Sequence, residues 1–262
     1  MRLAAGVEYD GTAYNGWQRV SSGRGIQALV EDALSQVADH DVEVYCAGRT
    51  DAGVHATGQV LHFDSTSPRT ERSWLLGANS NLPDDVGLTW IQPVADDFHA
   101  RYSATARTYR YLILNRLVRS PLCRTRAWWL YEPVDADRMS HAAERLLGEH
   151  DFSAFRAADC QARHATRELR QIEVRREGDW ISVTVSANAF LQHMVRNIVG
   201  TLVAVGKQDQ PVEWVTEVLE SRDRRRAGVT APAAGLTLLH VEYPNEFSLP
   251  VAPASTLLPG ME

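Results

Sequence analysis

The sequence predicts an α+β fold made of two similar lobes, each with a mainly antiparallel sheet flanked by helices. Segments in which apolar residues alternate, as in strands, are interspersed with segments in which they recur at helical spacing. The Glu-Gly-Asp sequence at 177–179 lies between two strand-like segments and is typical of a hairpin turn. Strands and helices do not alternate regularly enough for a parallel βαβ sheet, so an antiparallel arrangement is favoured.

The first half is expected to begin with a strand, in which Leu3, Ala5 and Val7 occupy alternate positions. A helix follows over 25–38, because apolar residues recur there every three or four positions. Thr70 is a typical N-cap residue and predicts a second, shorter helix. The strands of this half are predicted over 2–9, 42–46, 58–64 and 87–94.

The second half is predicted to contain the hairpin and three helices. Asp135 can cap a helix over 136–147, and Gly148 is placed to end it. Further helices are expected over 190–205 and 212–221, where apolar residues again recur at helical spacing. The strands of this half are predicted over 107–115, 127–131, 168–176, 180–187 and 236–243.

Composition limits the class of protein. The 262 residues are 44% hydrophobic, which is enough to build one large domain or two modest ones. Neither a signal peptide nor an apolar run long enough to span a bilayer is recognisable, so a cytoplasmic protein with no membrane partner is expected. Cys46, Cys123 and Cys160 are far apart and lack metal-ligand spacing, which favours reduced thiols over disulfides or a zinc site.

Charge is distributed unevenly along the chain, although the formal net charge is -6. The window 101–126 contains seven arginines and no Asp or Glu, and Lys207 is the sole lysine of the protein. Guanidinium groups bind phosphate through paired hydrogen bonds and stack on bases. We therefore expect a basic face suited to nucleic acid, with the acidic residues elsewhere on the surface.

The loop at 47–55 is the strongest candidate for a reactive site. Its sequence AGRTDAGVH places Asp51 between two glycines, with Arg49 two residues earlier. Glycine leaves little bulk between backbone and ligand, and an extended loop would bring Arg49 and Asp51 to the same side. A turn with a surface ion pair is the alternative for so short a motif. Predicted strands on both sides favour a rigidly held loop.

Five segments carry chemically distinctive residues. They are YDGTAYNGWQR at 9–19, GRTDAGVHATGQV at 48–60, FHARYSA with RTYRY over 98–111, DFSAFR with CQ over 151–161, and NAFLQHMVRNIVG at 188–200. Together, and in this order, they resemble the tRNA pseudouridine synthase A family, in which the second segment contains the catalytic aspartate. The resemblance covers the chain from about residue 3 to residue 244.

The resemblance implies a fold, an activity and partners. The fold would be the pseudouridine synthase fold, with an active-site cleft between an N-terminal lobe over 1–104 and a C-terminal lobe over 105–244, followed by a Pro-rich tail over 245–262. The activity would be that of an isomerase that converts uridine to pseudouridine at positions 38–40 of the tRNA anticodon stem-loop. The family works as a homodimer without a cofactor, so tRNA and a second copy of the chain are the expected partners.

The resemblance also implies a role for individual residues. Asp51 would be the catalytic nucleophile, and Tyr109 would stack against the target uracil and remove its C5 proton. Arg196 would be a third catalytic residue, paired with Asp51 or with an RNA phosphate. The substrate-binding residues would be Gln18, Arg19, Arg24, Arg49, Arg107, Tyr109 and Arg110.

Several alternatives stay open at the level of sequence. Asp51 can attack C1′ or take a proton from C2′, and the residues do not choose between these routes. Tyr109 shares an apolar strand face and can equally be a core residue, while Trp17 can pack under a loop instead of stacking on a base. The other function classes are a non-catalytic RNA-binding protein and a metal-dependent phosphodiesterase that uses Asp51, His55 and His62.

Overall fold

The protein divides into two compact units. The structure, a computed structural model, describes residues 1–20 and 23–250. Unit 1 contains residues 1–105 and the described residues from Leu238 onward, and unit 2 contains Ala106–Thr237. Most of the last strand, from Leu238 onward, therefore belongs to the same unit as the N-terminus. Of the tail predicted over 245–262, residues 251–262 lie outside the described part of the chain.

The described residues form ten strands and five α-helices. The strands are β1 (Arg2–Tyr9), β2 (Tyr45–Cys46), β3 (His55–Asp64), β4 (Val86–Pro93), β5 (Ala106–Asn115), β6 (Trp128–Leu130), β7 (Gly148–Asp151), β8 (Thr166–Glu177), β9 (Trp180–Ala187) and β10 (Leu236–Glu242). The helices are α1 (Ile26–Ala38), α2 (Glu71–Asn81), α3 (Ala136–Glu144), α4 (Met194–Gly206) and α5 (Trp214–Ser221). The predicted mixture of mainly antiparallel strands with flanking helices is confirmed.

Unit 1 is a sheet covered by two helices. Its strands lie in the order β4-β1-β3-β10, β2 pairs with β3, and β1 is antiparallel to both β3 and β4. Phe63 of β3 packs edge-on against Trp74 of α2 with 5.3 Å between ring centroids, and both side chains are buried. The Thr70 side chain accepts a hydrogen bond from the Ser73 N–H at 3.1 Å, as its sequence position predicts. The cap and the aromatic pair fix α2 on the sheet.

Unit 2 contains strands in the order β5-β9-β8-β7, with β6 beside β5. β5, β9, β8 and β7 are antiparallel to their neighbours, whereas β5 and β6 run parallel. The predicted hairpin joins β8 to β9, and Gly178 in its turn has a φ of 58°. β5 is buried along most of its length. The residues predicted to bind substrate on this strand are therefore held by a rigid backbone.

The helix predicted over 136–147 is shorter than expected. Asp135 caps it as predicted, since its side chain accepts a hydrogen bond from the Arg138 N–H at 3.0 Å, but α3 ends at Glu144. The expectation that Gly148 ends the helix is wrong. Gly148 instead begins β7 with a φ of 98°, a conformation that glycine adopts without strain.

The helix predicted over 190–205 also has a different start. α4 begins at Met194, because His193 adopts a left-handed conformation with a φ of 62° that no helix continues through. The residues before His193 are therefore not helical. Arg196 lies in the first turn of α4 rather than in the interior of an apolar helix, where a charge would cost more to bury.

Candidate active site

The loop that carries Asp51 is held by the N-terminal segment of unit 1. The Trp17 N–H donates a hydrogen bond to the Thr50 carbonyl at 3.1 Å, and the Gly53 N–H donates to the Tyr14 carbonyl at 3.3 Å. The backbone is therefore tied on both sides of Asp51. Segment 9–19, which is distant in sequence, serves as the support of the reactive loop.

Two glycines permit this close approach between backbones. Gly16 has a φ of 91°, and a Cβ at this position would lie 2.5 Å from the Thr50 carbonyl oxygen. A Cβ on Gly11 would lie 1.9 Å from the Val54 carbonyl oxygen. Both distances are below 3.0 Å, so any side chain would force the loop and its support apart. The glycines of segment 9–19 are thus explained by the loop they hold.

The loop keeps Asp51 and Arg49 at least partly accessible. The Gln59 side-chain N–H donates to the Gly48 carbonyl at 2.6 Å, which fixes the start of the loop. Asp51 is half-buried and Arg49 is exposed. A carboxylate on so fixed a backbone suits a group that must meet its substrate in one geometry, and the arginine beside it is open to phosphate.

Gln18 and Arg19 have partners within unit 1. The Gln18 side-chain N–H donates to the Gln27 side-chain oxygen at 3.0 Å. Arg19 forms an ion pair with Glu31, whose side chain is almost fully buried, while the Arg19 side chain is largely exposed. A buried carboxylate requires such a counter-charge. Arg19 therefore has a structural function, and contact of either residue with RNA stays a prediction.

The aromatic residues of the same segment belong to the core. Trp17 is 1% exposed, so it packs under the loop and does not offer its ring to a base. Tyr14 is also buried, and burial together with its hydrogen bond to Asp85 raises the pKa of its hydroxyl. The guanidinium carbon of Arg24 lies 5.2 Å from the centroid of the Tyr14 ring. Arg24 is exposed and remains available for phosphate.

His55 and His62, the two histidines considered as metal ligands, have structural neighbours. His55 Nδ1 lies 3.1 Å from both the Gly11 nitrogen and an Asp10 carboxylate oxygen. His62 Nδ1 accepts a hydrogen bond from the Ala100 N–H at 3.2 Å. Within residues 1–20 and 23–250, no group of three or more His, Cys, Asp or Glu side chains could hold a metal ion. The Nδ1 atoms of both histidines are therefore engaged in contacts within unit 1.

Tyr109 lies within β5 of unit 2 and pairs with Val185 of β9. It is 8% exposed, and its ring packs edge-on against Phe190 with 5.1 Å between centroids. The ring is thus held in one orientation by its neighbour. This packing fits a ring that receives a base on one of its faces, and it also fits a core residue.

The two arginines beside Tyr109 on β5 differ in their surroundings. Arg107 is 8% exposed, and its guanidinium donates to the Asn188 carbonyl at 2.9 Å. Arg110 has a buried Nε for which the described residues provide no hydrogen-bond partner. Because a buried donor without a partner is costly, Arg110 is the better candidate for an additional ligand. Substrate contact by both arginines stays a prediction.

Arg196 is held by a segment that crosses the start of α4. Its Nε donates to the Ala231 carbonyl at 2.7 Å, and the Ala231 N–H donates to the Arg196 carbonyl at 3.1 Å. We call this segment, residues 227–231, the strap. Burial raises the pKa of Tyr111, and the positive charge of Arg196 opposes that rise. The strap therefore sets the direction of the Arg196 side chain.

Arg224 and Gly200 fix the strap, and Arg224 does not stand out in the sequence. The Arg224 guanidinium donates to the Asn197 side-chain oxygen at 3.0 Å and to the Thr230 hydroxyl at 2.9 Å. A Cβ on Gly200 would lie 1.7 Å from the Val229 carbonyl oxygen, so the absence of a side chain lets α4 and the strap touch. Arg224 belongs to a run of three arginines, a pattern that indicates a solvated charged face as readily as a structural one.

The chain matches known proteins along nearly its whole length. A family model described as tRNA pseudouridine synthase matches residues 5–103 and 142–244. The chain belongs to the tRNA pseudouridine synthase family. It is 54% identical over 250 residues to the tRNA pseudouridine synthase A of Pseudoalteromonas atlantica, with 95% of each chain covered. It is 52% identical to that of Hydrogenovibrio crunogenus, with 95% of each chain covered, and 51% identical to that of Shigella boydii, with 98% of this chain and 95% of the relative covered.

Some of the residues proposed from the resemblance lie inside the ranges that the family model matches, and others lie outside them. Asp51 and Arg196 lie inside the ranges matched by the tRNA pseudouridine synthase model. Arg107, Tyr109 and Arg110 lie in the stretch 104–141, which that model does not match. The roles proposed for all of these residues stay predictions.

The basic window of this tRNA pseudouridine synthase is a surface feature in part. Arg107 is buried and bonded to backbone. Arg101, Arg116, Arg119 and Arg124 are exposed, as a role in phosphate binding requires. Among the described residues, no helix is both long and apolar enough to cross a membrane.

Acid is expected to destabilise unit 1 through His62. Burial lowers the pKa of His62 to about 4, and the charges of His99 and Arg2 act in the same direction. In the unfolded chain this group titrates near its ordinary value of 6.5, so between pH 6.5 and 4 the unfolded state binds a proton that the folded state does not. The resulting stability is complete above pH 6.5 and is lost as the pH falls through 4. Urea unfolding at pH 7 and pH 4.5 should show a loss of about 2 kcal/mol from this residue.

The control for this prediction is His62→Gln, which keeps an acceptor for the Ala100 N–H and removes the titration. Carboxylates such as Asp64, whose pKa the Arg2 guanidinium lowers, weaken the fold in acid equally in both proteins. The difference between the two pH dependences therefore isolates His62. Identical pH dependences in the two proteins would show that protonation of His62 does not lower the free energy of unfolding.

Proposed function

We propose that the protein converts uridine to pseudouridine at positions 38–40 of the tRNA anticodon stem-loop. The observation that carries this proposal is the Asp51 loop, a half-buried carboxylate on a backbone fixed through Gly11 and Gly16, in a member of the tRNA pseudouridine synthase family. Relatives at 51 to 54% identity are named tRNA pseudouridine synthase A. The exposed arginines supply the positive charge that a tRNA substrate requires.

The reaction is an isomerisation in which the substrate supplies both the leaving group and the second nucleophile. The C1′–N1 bond breaks, the uracil turns, and C5 forms a bond to C1′. C5 then loses its proton and N1 gains one, so no atom is added or removed. In one route the Asp51 carboxylate attacks C1′ and is displaced by C5. In the other it takes the C2′ proton, leaving a glycal, and returns that proton when C5 bonds.

Both routes use one carboxylate in a fixed position, which the support of the Asp51 loop provides. Tyr109 is proposed to stack against the uracil and to take the C5 proton, and Arg196 is proposed to hold Asp51 or a substrate phosphate. The hydrogen bond from Arg196 Nε to the Ala231 carbonyl supports this role, because it fixes the direction in which the guanidinium points.

Variants at Tyr109 separate stacking from proton transfer. Tyr109→Phe keeps the aromatic face and removes the phenolic oxygen, so we expect unchanged tRNA affinity and a release of pseudouridine slowed by about 10²-fold. Tyr109→Leu should lose much of its productive binding as well. Rapid-quench single-turnover assays measure the rate at which pseudouridine forms and is released, and its dependence on protein concentration reports productive binding. A wild-type rate for Tyr109→Phe would exclude proton transfer and leave stacking as the role of Tyr109. A wild-type rate for Tyr109→Leu would exclude both roles and show that Tyr109 is a core residue.

The proposed function is tested by mapping pseudouridine in tRNA from cells with and without the gene. Pseudouridine at positions 38–40 should be absent without the gene and should return when the purified protein is added to that tRNA. Loss of pseudouridine at other tRNA positions would show that the protein modifies uridines other than those at 38–40. Tight tRNA binding without pseudouridine formation would favour the non-catalytic RNA-binding alternative.

The proposal extends to assembly and location. We propose that the protein works as a homodimer in the cytoplasm, where its tRNA substrate is modified. Sedimentation equilibrium should then give twice the chain mass of 29.2 kDa. A mass of one chain at micromolar concentration would contradict the dimer without affecting the proposed reaction.

A further inference from the structure

Four aromatic rings of unit 1 lie one against the next in a row that reaches the surface. Tyr45 stacks on His62 with 5.2 Å between ring centroids and an angle of 24° between the ring planes. The His62 and His99 ring centroids are 4.5 Å apart with the planes tilted by 58°, and the His99 and Tyr102 centroids are 4.3 Å apart with a tilt of 39°. The innermost ring, His62, is 3% exposed, whereas Tyr102 is 76% exposed. We call these four residues the aromatic stack.

Backbone hydrogen bonds hold the stack in place. His99 Nδ1 accepts from the Arg101 N–H at 3.1 Å and from the Tyr102 N–H at 3.3 Å. His62 Nδ1 accepts from the Ala100 N–H at 3.2 Å. Protonation at either nitrogen would break these bonds, and burial lowers the pKa of both histidines. The stack is therefore a neutral, preorganised aromatic support for the exposed Tyr102 ring.

Positive charge surrounds the exposed end of the stack. The guanidinium carbon of Arg101 lies 5.7 Å from the centroid of the Tyr102 ring. Tyr45, at the other end of the stack, is followed directly by Cys46, and Arg49 is exposed three residues later. Cys46 directly precedes the loop that carries Asp51. An exposed tyrosine and two arginines thus adjoin the proposed catalytic loop within one unit.

A large aromatic ring that is three-quarters exposed gains little by facing water. Nucleobases stack on such rings, and arginine beside the ring adds phosphate binding, a combination typical of sites for unpaired RNA. Tyr45 does not compete for this role, because its hydroxyl donates to Glu43 at 2.9 Å, which puts a carboxylate at that end of the stack. The chemistry at Tyr102 therefore favours a base with its phosphate.

We propose that Tyr102, supported by His99, is a stacking site for an unpaired nucleobase that lies near the target uridine in the RNA substrate. Arg101 holds the phosphate of the same nucleotide. The site is separate from the Asp51 carboxylate and contributes to binding and to the choice of substrate rather than to bond cleavage. This inference rests on the proposed function, because it takes RNA as the ligand.

The site is tested with anticodon stem-loop RNA in which 2-aminopurine replaces each unpaired base in turn. Binding of the wild-type protein should quench the fluorescence of at least one position, because 2-aminopurine is quenched when it stacks. Tyr102→Phe should retain the quenching. Tyr102→Leu should abolish it and weaken binding by roughly tenfold, as expected for the loss of one base–aromatic stack.

Two further variants separate stacking from charge and from exposure. Tyr102→Leu should leave the salt dependence of affinity unchanged, whereas Arg101→Gln should reduce its slope by about one counterion. Tyr131 is 60% exposed and lies in unit 2, so Tyr131→Leu is the matched control for loss of an exposed tyrosine. It should bind the 2-aminopurine RNA with wild-type quenching. Sedimentation of each variant reports its oligomeric state.

The outcomes decide between the two proposals. Persistent quenching and wild-type affinity for Tyr102→Leu would overturn the stacking site, even if the protein forms pseudouridine. A change in oligomeric state with unchanged quenching would also overturn it and assign Tyr102 to a protein interface. If the wild-type protein forms no pseudouridine but shows Tyr102-dependent quenching, the proposed function fails and the stacking site stands.

Discussion

Asp51→Asn is expected to abolish pseudouridine formation, with a loss in single-turnover rate of about 10⁴-fold or more. The reaction requires a carboxylate, and Gly11 and Gly16 let segment 9–19 hold the backbone of the loop that carries it. Affinity for tRNA should stay within about threefold, since phosphate contacts dominate such binding. Filter binding and rapid-quench assays measure the two quantities.

The matched control for this variant is Asp39→Asn in the same unit. Asp39 is a surface carboxylate paired with Arg69, and its φ of 56° is one that asparagine tolerates well. The Asp39→Asn protein should form pseudouridine at the wild-type rate. Mass spectrometry must exclude deamidation of the substituted residue back to aspartate. Measurable turnover by an intact Asp51→Asn protein would end the assignment of Asp51 as the catalytic carboxylate.

Gly200→Ala should both destabilise unit 2 and disturb the proposed site. The new Cβ would lie 1.7 Å from the Val229 carbonyl oxygen, so the strap must move away from α4. We expect the free energy of unfolding to fall by about 3 kcal/mol, despite the higher helix propensity of alanine. Because the strap accepts the hydrogen bond from Arg196, the rate at a temperature where the variant is folded should also fall, by about 10²-fold.

Gly77→Ala in α2 is the matched control for a glycine replaced within a helix. Its Cβ would meet the Val37 side chain at 2.9 Å, and a side chain can move where a backbone cannot. Stability should therefore change by less than about 1 kcal/mol, and the rate should not change. A folded Gly200→Ala protein with full activity would show that the position of the strap does not control Arg196.

Features set by neighbouring residues were predictable from the sequence. The Thr70 and Asp135 caps were correctly expected, because a cap depends on a side chain and an N–H three residues later. The Asp51 loop was found through its glycines. The start of α4 was not predicted correctly. Helical periodicity carries no information about the tertiary contacts that set the left-handed conformation of His193.

The supports of the site depend on contacts between distant parts of the chain. Gly11 and Gly16 are visible in the sequence, but their purpose appears only when residues 50–54 are seen against them. The same holds for Arg224, which acts on the strap and α4 together. Sequence therefore predicted the residues that are proposed to carry the chemistry, whereas the structure was needed to find the residues that hold them in place.

The membership of β10 in unit 1 has a consequence for synthesis of the protein. Residues 1–105 emerge from the ribosome well before Leu238, on the order of ten seconds earlier at ordinary translation rates. Until then β3 has an unpaired edge at Thr57 and Gly58, whose partner in the finished protein is the backbone of Leu239. Such an edge is a site for aggregation and chaperone binding. The unit that carries Asp51 is thus the first to be made and the last to be completed.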